Sequence, residues 1–140
     1  MMGRAVMRVT QRGVTLIELA VVLTALVLVA GLVLPSMLSS AMRARRIDAV
    51  TALSKLQAAQ ERHRSDHGVY SKTLPKGAGP RSAAGHYDIV MLEAQGEHFT
   101  AEAVARSDGP QAGDEVCARI TLQIEQGFAQ RGPLAACWNQ

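Results

Sequence analysis

The sequence predicts an α+β fold: a long N-terminal α-helix, apolar in its first half and amphipathic in its second, packed on a small antiparallel β-sheet. Three observations predict it. From Leu19 to Leu34 there is no charge, and only Thr24 is plainly polar. From Arg43 onward, apolar residues recur at helical spacing among charged ones. Beyond Tyr87 the apolar period falls to two, the period of a strand with one buried face.

The helix comes first. From Val14 it can run with little interruption toward Ser65, and about 50 residues at 1.5 Å each would span roughly 75 Å. Its first half, Val14 to Leu38, is apolar on every face, as a membrane span or a filament core demands. Gly31 and Pro35 interrupt that run. Proline lacks the amide donor and presses on the carbonyl four residues back, here that of Gly31, so a kink or local unwinding is expected. The plainer alternative is that Pro35 ends the span. In the second half, Ile47, Val50, Leu53 and Leu56 recur every three residues and make a stripe that needs covering. The cluster Arg43, Arg45 and Arg46 reads as a solvated face or a snorkelling rim.

Gly68 should stop the helix. A loop punctuated by Pro75, Gly77, Gly79, Pro80 and Gly85 follows, long enough to need a role. Tyr87–Leu92 and His98–Val104 then read as strands joined through Glu93–Glu97. Phe99, Ala101 and Ala103 share one face of the second strand. After the turn-rich Ser107-Asp108-Gly109-Pro110, Val116 to Ile124 alternates again, with Val116, Ala118, Ile120 and Leu122 on one side. Three or more strands laid over the amphipathic half-helix bury both apolar faces. The tail from Gly127 to Trp138 reads as loop with one edge strand at most.

Composition bounds the rest. The 140 residues hold 15 basic and 12 acidic side chains. Three of the basic ones, Arg4, Arg8 and Arg12, precede Val14, where there is no acid, so the remainder carries 12 of each sign. The net positive charge therefore belongs to the first 13 residues and fits a positive-inside orientation. About 100 residues remain after the apolar run, enough for a small core.

One motif organises this arrangement. In Arg12-Gly13-Val14-Thr15-Leu16-Ile17-Glu18-Leu19 a basic leader ends in glycine, and a lone carboxylate follows inside a segment fit for hydrocarbon. Such a carboxylate costs about 2.5–3.5 kcal/mol on insertion scales, so it usually has a partner and a task. The stretch resembles the class III signal of type IV prepilins and pseudopilins. The resemblance implies cleavage by prepilin peptidase after Gly13, N-methylation of Val14, and a role for Glu18 in registering the subunit in a filament. Pro35 falls where these proteins carry a helix-breaking proline. Val14 departs from the usual phenylalanine. An ordinary secretory signal, with Ser39-Ser40-Ala41 as its cleavage site, would have a shorter apolar core and no leading glutamate. A plain single-span anchor is the other alternative.

Further residues resemble PilE-type minor pilins: Tyr87, Phe99-Thr100-Ala101, Asp114, Cys117 with Leu122 following, Gly127 and Cys137-Trp138. The implied organisation is a leader at 1–13, a membrane and filament-core helix at 14–38, and a globular domain at 39–140. The protein would wait in the inner membrane with that domain in the periplasm, then enter a surface pilus. Its partners would be the peptidase, other pilin subunits and the pilus assembly machinery. Cys117 and Cys137 lie in the part that would be translocated, where disulfides persist, and are expected to pair. A pseudopilin of type II secretion is the runner-up, and a secreted or anchored binding domain the third reading. Adhesion and twitching motility are the activities such a pilus serves.

Catalytic signatures are absent: there is no HExxH, CxxC, GxSxG, phosphate loop or GxGxxG, so neither enzyme activity nor a cofactor is expected. His63 and His67 with Asp66 nearby fall short of a metal site, having two imidazoles and no third firm ligand. Asp108, Asp114 and Glu115 have the ligand chemistry of a calcium site but serve turns equally well. A DNA-uptake role is a minority reading, with Arg106, Arg119 and Arg131 as candidate phosphate contacts.

Overall fold

A computed structural model describes residues 13–139. The leader positions 1–12, with Arg4, Arg8 and Arg12, lie outside the described residues. Contacts divide the chain into two compact units that meet between Met37 and Leu38. One helix, α1 (Leu16–His67), contributes to both.

In the first unit, α1 starts on a Thr15-x-x-Glu18 pattern. The Thr15 hydroxyl accepts the Glu18 amide at 3.3 Å, satisfying one of the orphan donors of a helix start. Glu18 places negative charge in the first turn, where the helix dipole favours it. Thr24 turns its hydroxyl back onto the Ala20 carbonyl at 2.8 Å, so this polar side chain makes its hydrogen bond within the helix. Every described large apolar side chain from Leu16 to Leu38 is at least 50% exposed. The segment is long and apolar enough to cross a membrane by length and composition. Helix continues through Gly31 and Pro35 without a break. The expected unwinding is therefore not found, and Pro35 does not end the helix.

The second unit contains the sheet: β1 (Tyr87–Gln95), β2 (His98–Ala105), β3 (Arg119–Glu125) and β4 (Phe128–Gly132), an antiparallel meander in sequence order. The residues of α1 that enter its core are Ala49, Leu53 and Leu56, with Arg46 and Gln60 continuing the buried stripe. Ile47 is 54% exposed instead. A strict three-residue repeat drifts about 60° per step on a 3.6-residue helix, so Ile47 ends up opposite Leu56. Alternating three- and four-residue steps keep the stripe in place. Against it pack Tyr87, Ile89, Phe99, Ala101, Ala103, Ile120, Leu122 and Ile124.

Two strand expectations are corrected. β1 runs on to Gln95 because a bulge between Met91 and Glu93 makes Leu92 an extra residue. The bulge shifts the phase of the alternation, bringing Ala94 to the buried face and leaving Leu92 54% exposed. β3 begins at Arg119, whereas Glu115–Cys117 is a short 3-10 turn and Val116 is 62% exposed. The alternation upstream of Arg119 is coincidental, since the Cys117 amide bonds back to the Asp114 carbonyl and closes a turn there. The tail supplies β4 as the edge strand, after a Gln126-Gly127 turn with both residues at positive φ.

Candidate nucleic-acid interface

The loop between α1 and β1 is tied down at both ends, which lets it present a defined surface. At its start, Gly68 at φ +79° caps α1, its amide bonding the Arg64 carbonyl. Gln60, fully buried, then clamps Ser71 twice at 2.8 Å, donating to its carbonyl and accepting from its amide. Tyr70 packs edge-on against Phe99 with 4.9 Å between centroids and donates to the Glu61 carboxylate at 2.7 Å. Burial, with that bond and the Glu61 charge, pushes its hydroxyl up to about 12. At the far end of the loop, Asp48 accepts the amides of Ala84 and His86 at 3.0 and 3.3 Å. Burial disfavours its charge, but these bonds and one from Ser82 outweigh it and hold the carboxyl below the usual aspartate value. Arg81 bridges to Asp88, and Ile89 donates to the Pro80 carbonyl, so the loop also covers the edge of β1.

Between the loop and α1 lies a groove of about 180 Å³, lined by Asp48, Thr51, Ala52 and Lys55 from the helix and by Gly77–Gly79, Arg81 and Ala83 from the loop. The Arg62 guanidinium reaches to 3.7 Å from where a side chain at Gly77 would begin. Gly77 sits at φ +98°, a conformation that glycine adopts without strain. Lys55 and Arg62 are seven residues apart, so they share a helix face about 10 Å from each other along the axis. Lys72 and Lys76 are exposed on the loop. Among the described residues, Lys55, Arg62, Lys72 and Lys76 take part in no ion pair. Four cations without an ion pair, two on α1 and two on the loop that follows it, are suited to meet a polyanion.

The arginines named from sequence are differently placed. Arg106 is clamped by Asp108, with its closest contact at 2.6 Å, and Asp88 stands 3.8 Å away. That clamp raises the Arg106 pKa and lowers that of Asp108. Arg119 pairs with Glu102 at 2.9 Å. Arg131 lies over the Trp138 ring at 5.3 Å. The structure does not bring these three together as a basic patch, and two of them are already neutralised. Lys55, Arg62, Lys72 and Lys76 were present in the sequence, but that they lack ion pairs depends on how the chain folds.

Arg46 is the larger departure from the sequence reading. It is 9% exposed and makes a two-pronged bridge to Asp114, Nε–Oδ2 at 2.7 Å and Nη2–Oδ1 at 2.8 Å. Its Nη1 donates to the Ala136 carbonyl at 3.2 Å. The Asp114 bond raises its pKa against the opposing effect of burial. Gln111 Nε2 extends the network to the Tyr87 hydroxyl at 2.8 Å, to Asp114 and to the Met42 carbonyl. Asp114 and Asp108, weighed above as calcium ligands, are thus engaged with separate arginines. Beside this network, Cys117 and Cys137 form a disulfide with 5.5 Å between Cα atoms. Trp138 fastens the enclosed tail to β4 by donating its indole N–H to the Gly132 carbonyl at 2.9 Å. His63 and His67 stack at 4.1 Å on the exposed helix end, and among the described residues no group of three metal-ligating side chains is found.

A family model described as type IV minor pilin ComP, DNA uptake sequence receptor, matches residues 35–121, more than half of the chain. The chain belongs to this family of type IV minor pilins. No curated protein matches it. The matched stretch takes in the groove, Lys55, Arg62, Lys72, Lys76 and Arg81, together with β1, β2 and the first strand residues of β3. It also takes in Tyr87, Phe99-Thr100-Ala101, Asp114 and Cys117 of the minor-pilin resemblance, and begins beyond the N-terminal signal.

Proposed function

We propose that this chain is a type IV minor pilin that captures DNA for uptake, holding the duplex on the basic flank between α1 and the α1–β1 loop. The observation that carries this reading is the set of four cations without counter-ions, Lys55, Arg62, Lys72 and Lys76, in a chain of this family. Cations neutralising phosphates release condensed counterions, so affinity falls steeply with salt. Phosphate contacts of this kind fix position and register on the duplex rather than sequence.

The test is duplex binding by fluorescence anisotropy across a salt series, with full-length protein in detergent micelles. The triple variant Lys55→Gln/Arg62→Gln/Lys76→Gln should bind more weakly and flatten the log–log salt slope by about 0.9 per lost phosphate contact. Arg119→Gln should leave the slope unchanged. An unchanged slope in the triple variant, or a larger loss at Arg119, would overturn the assignment.

The N-terminal unit delivers the domain to the filament on this reading. Prepilin peptidase cuts after Gly13, Val14 becomes the methylated first residue, and 14–38 serves first as the inner-membrane anchor and then as the filament core. The domain at 39–140 faces the periplasm before assembly and the surface afterwards. Glu18 registers the subunit, with the Val14 amine of this or a neighbouring subunit as its partner, and Pro35 lies in the assembled helix. The lone carboxylate in an apolar segment supports this, because it calls for a cation. Gly13→Val should leave an uncut precursor. Mass spectrometry finding a mature N-terminus near Met42 instead of Val14 would favour an ordinary secretory signal.

A further inference from the structure

Arg81, Asp88, Arg106 and Asp108 form a cluster where the α1–β1 loop meets β1. Arg81 lines the groove together with Lys55, and its Nε lies 3.1 Å from Asp88 Oδ1. The same oxygen stands 3.8 Å from Arg106 Nη1. Arg106 has a firmer partner, since Asp108 holds it with both oxygens, 3.0 Å from Nε and 2.6 Å from Nη2. For Arg81, the contact with Asp88 is the one ion pair found among the described residues. The groove's other carboxylate, Asp48, is engaged by the amides of Ala84 and His86.

The Arg81–Asp88 pair is not what fastens the loop. Ile89 donates to the Pro80 carbonyl at 2.8 Å, Ser82 to the Tyr87 carbonyl at 2.9 Å, and Tyr87 to the Ser82 hydroxyl at 2.9 Å. These bonds join the loop to β1 whether or not the two side chains meet. The pair is also open to water, with Arg81 57% and Asp88 48% exposed, and such pairs add little to stability. Its larger effect is on charge, because it neutralises a cation of the groove.

We propose that Asp88 sets the affinity of this chain for DNA by withholding Arg81 from the phosphate backbone. The inference rests on the duplex-binding reading above. Arg81 and Lys55 line one groove, so a phosphate seated beside Lys55 meets an Arg81 guanidinium that already carries a carboxylate. The Asp88 charge also repels that phosphate. Asp88 and Asp108 thus divide the cations into two sets. Lys55, Arg62, Lys72 and Lys76 are offered to the duplex, whereas Arg81 and Arg106 are kept neutral. Arg81 differs from Arg106 in depending on Asp88 alone, so removing that one carboxylate releases one cation.

The test is the anisotropy of a fluorescent random-sequence duplex across a salt series, with full-length protein in micelles. Asp88→Asn should steepen the log–log salt slope by about 0.9, one phosphate contact, and raise affinity about five- to tenfold near 0.1 M salt. Its thermal midpoint should stay close to that of the wild type. Arg81→Gln alone should change binding little, yet in the Asp88→Asn background it should remove the whole gain, a coupling expected only of a withheld arginine. Glu125→Gln makes the same change in net charge elsewhere. Glu125 is exposed and pairs with His98 at one end of β2, whereas Asp88 pairs with Val104 near the other, about 20 Å along the strand. That control should leave the slope unchanged. The proposal is overturned by an unchanged slope in Asp88→Asn or by an equal gain in Glu125→Gln. A gain that survives in Arg81→Gln/Asp88→Asn also overturns it, and assigns the effect to Arg106. If the wild type shows no salt-dependent duplex binding, the reading above falls and this inference with it. If the wild type binds and the Lys55, Arg62 and Lys76 triple variant weakens while Asp88→Asn changes nothing, this inference alone falls.

Discussion

Replacing Arg46 by methionine tests the energetics of the domain most directly. The substitution keeps the length of the aliphatic stem but removes the cation that faces Asp114. Asp114 is 4% exposed, so its carboxylate would be left in the core with one remaining donor, the Gln111 amide at 3.2 Å. Breaking a buried pair by removing one partner costs about 3–5 kcal/mol, because the orphaned charge has been taken out of water. For a domain of this size each kcal/mol moves the thermal midpoint by about 4–8 °C, so a drop of at least about 12 °C is expected. Trp138 is the sole tryptophan and is 5% exposed, two residues beyond the carbonyl that Arg46 also holds, so its fluorescence reports this region. The full-length protein in micelles is suitable, since the apolar half of α1 carries no tryptophan to mask the signal. Asp114→Asn should be damaging on its own, while Arg46→Met/Asp114→Asn should recover part of the loss, with a coupling energy of about 1.5 kcal/mol or more. A single-variant loss under about 1 kcal/mol would refute the reasoning, since that is the worth of an exposed pair.

Three further outcomes are expected. Cys117→Ser/Cys137→Ser should cost roughly 3 kcal/mol in urea denaturation by the loop-entropy estimate for its 20-residue separation, and thiols reactive without reductant in the native protein would contradict the closed loop. Asp48 is held below its ordinary value of 3.8, so its contribution is fully present above that pH and is lost as pH falls through the lowered value. The stability gap between wild type and Asp48→Asn should therefore be largest near neutrality and close in acid below about pH 4; a gap that does not vary with pH would count against the loop anchor. Glu18→Ala should be processed and reach the membrane yet enter sheared filaments poorly, and normal incorporation would remove its registering role.

What the sequence determined by itself is local or compositional. An uncharged run from Leu19 to Leu34 has to be an apolar helix, whatever surrounds it, and Gly68 ends the helix through its own backbone freedom. Phe99, Ala101 and Ala103 face the core because a strand has period two. Two cysteines outside the apolar run, in a segment read as exported, were enough to expect the bond between Cys117 and Cys137. Tertiary structure decided whatever depends on which surfaces meet. Arg46 looks in sequence like its exposed neighbour Arg43, and only the arrival of Asp114 from 68 residues away makes it a core residue. The bulge at Leu92 and the turn at Val116 both override an alternation that the sequence carries, because the strand partner and the turn closed from Cys117 to Asp114 set the backbone there. For the same reason the basic flank was not legible. Lys55 and Arg62 share a helix face by periodicity, but whether Lys72, Lys76 and Arg81 join them, and whether Arg106 and Arg119 are free, depends on where each carboxylate comes to rest. Charge is written in the sequence, and its compensation is a property of the folded surface.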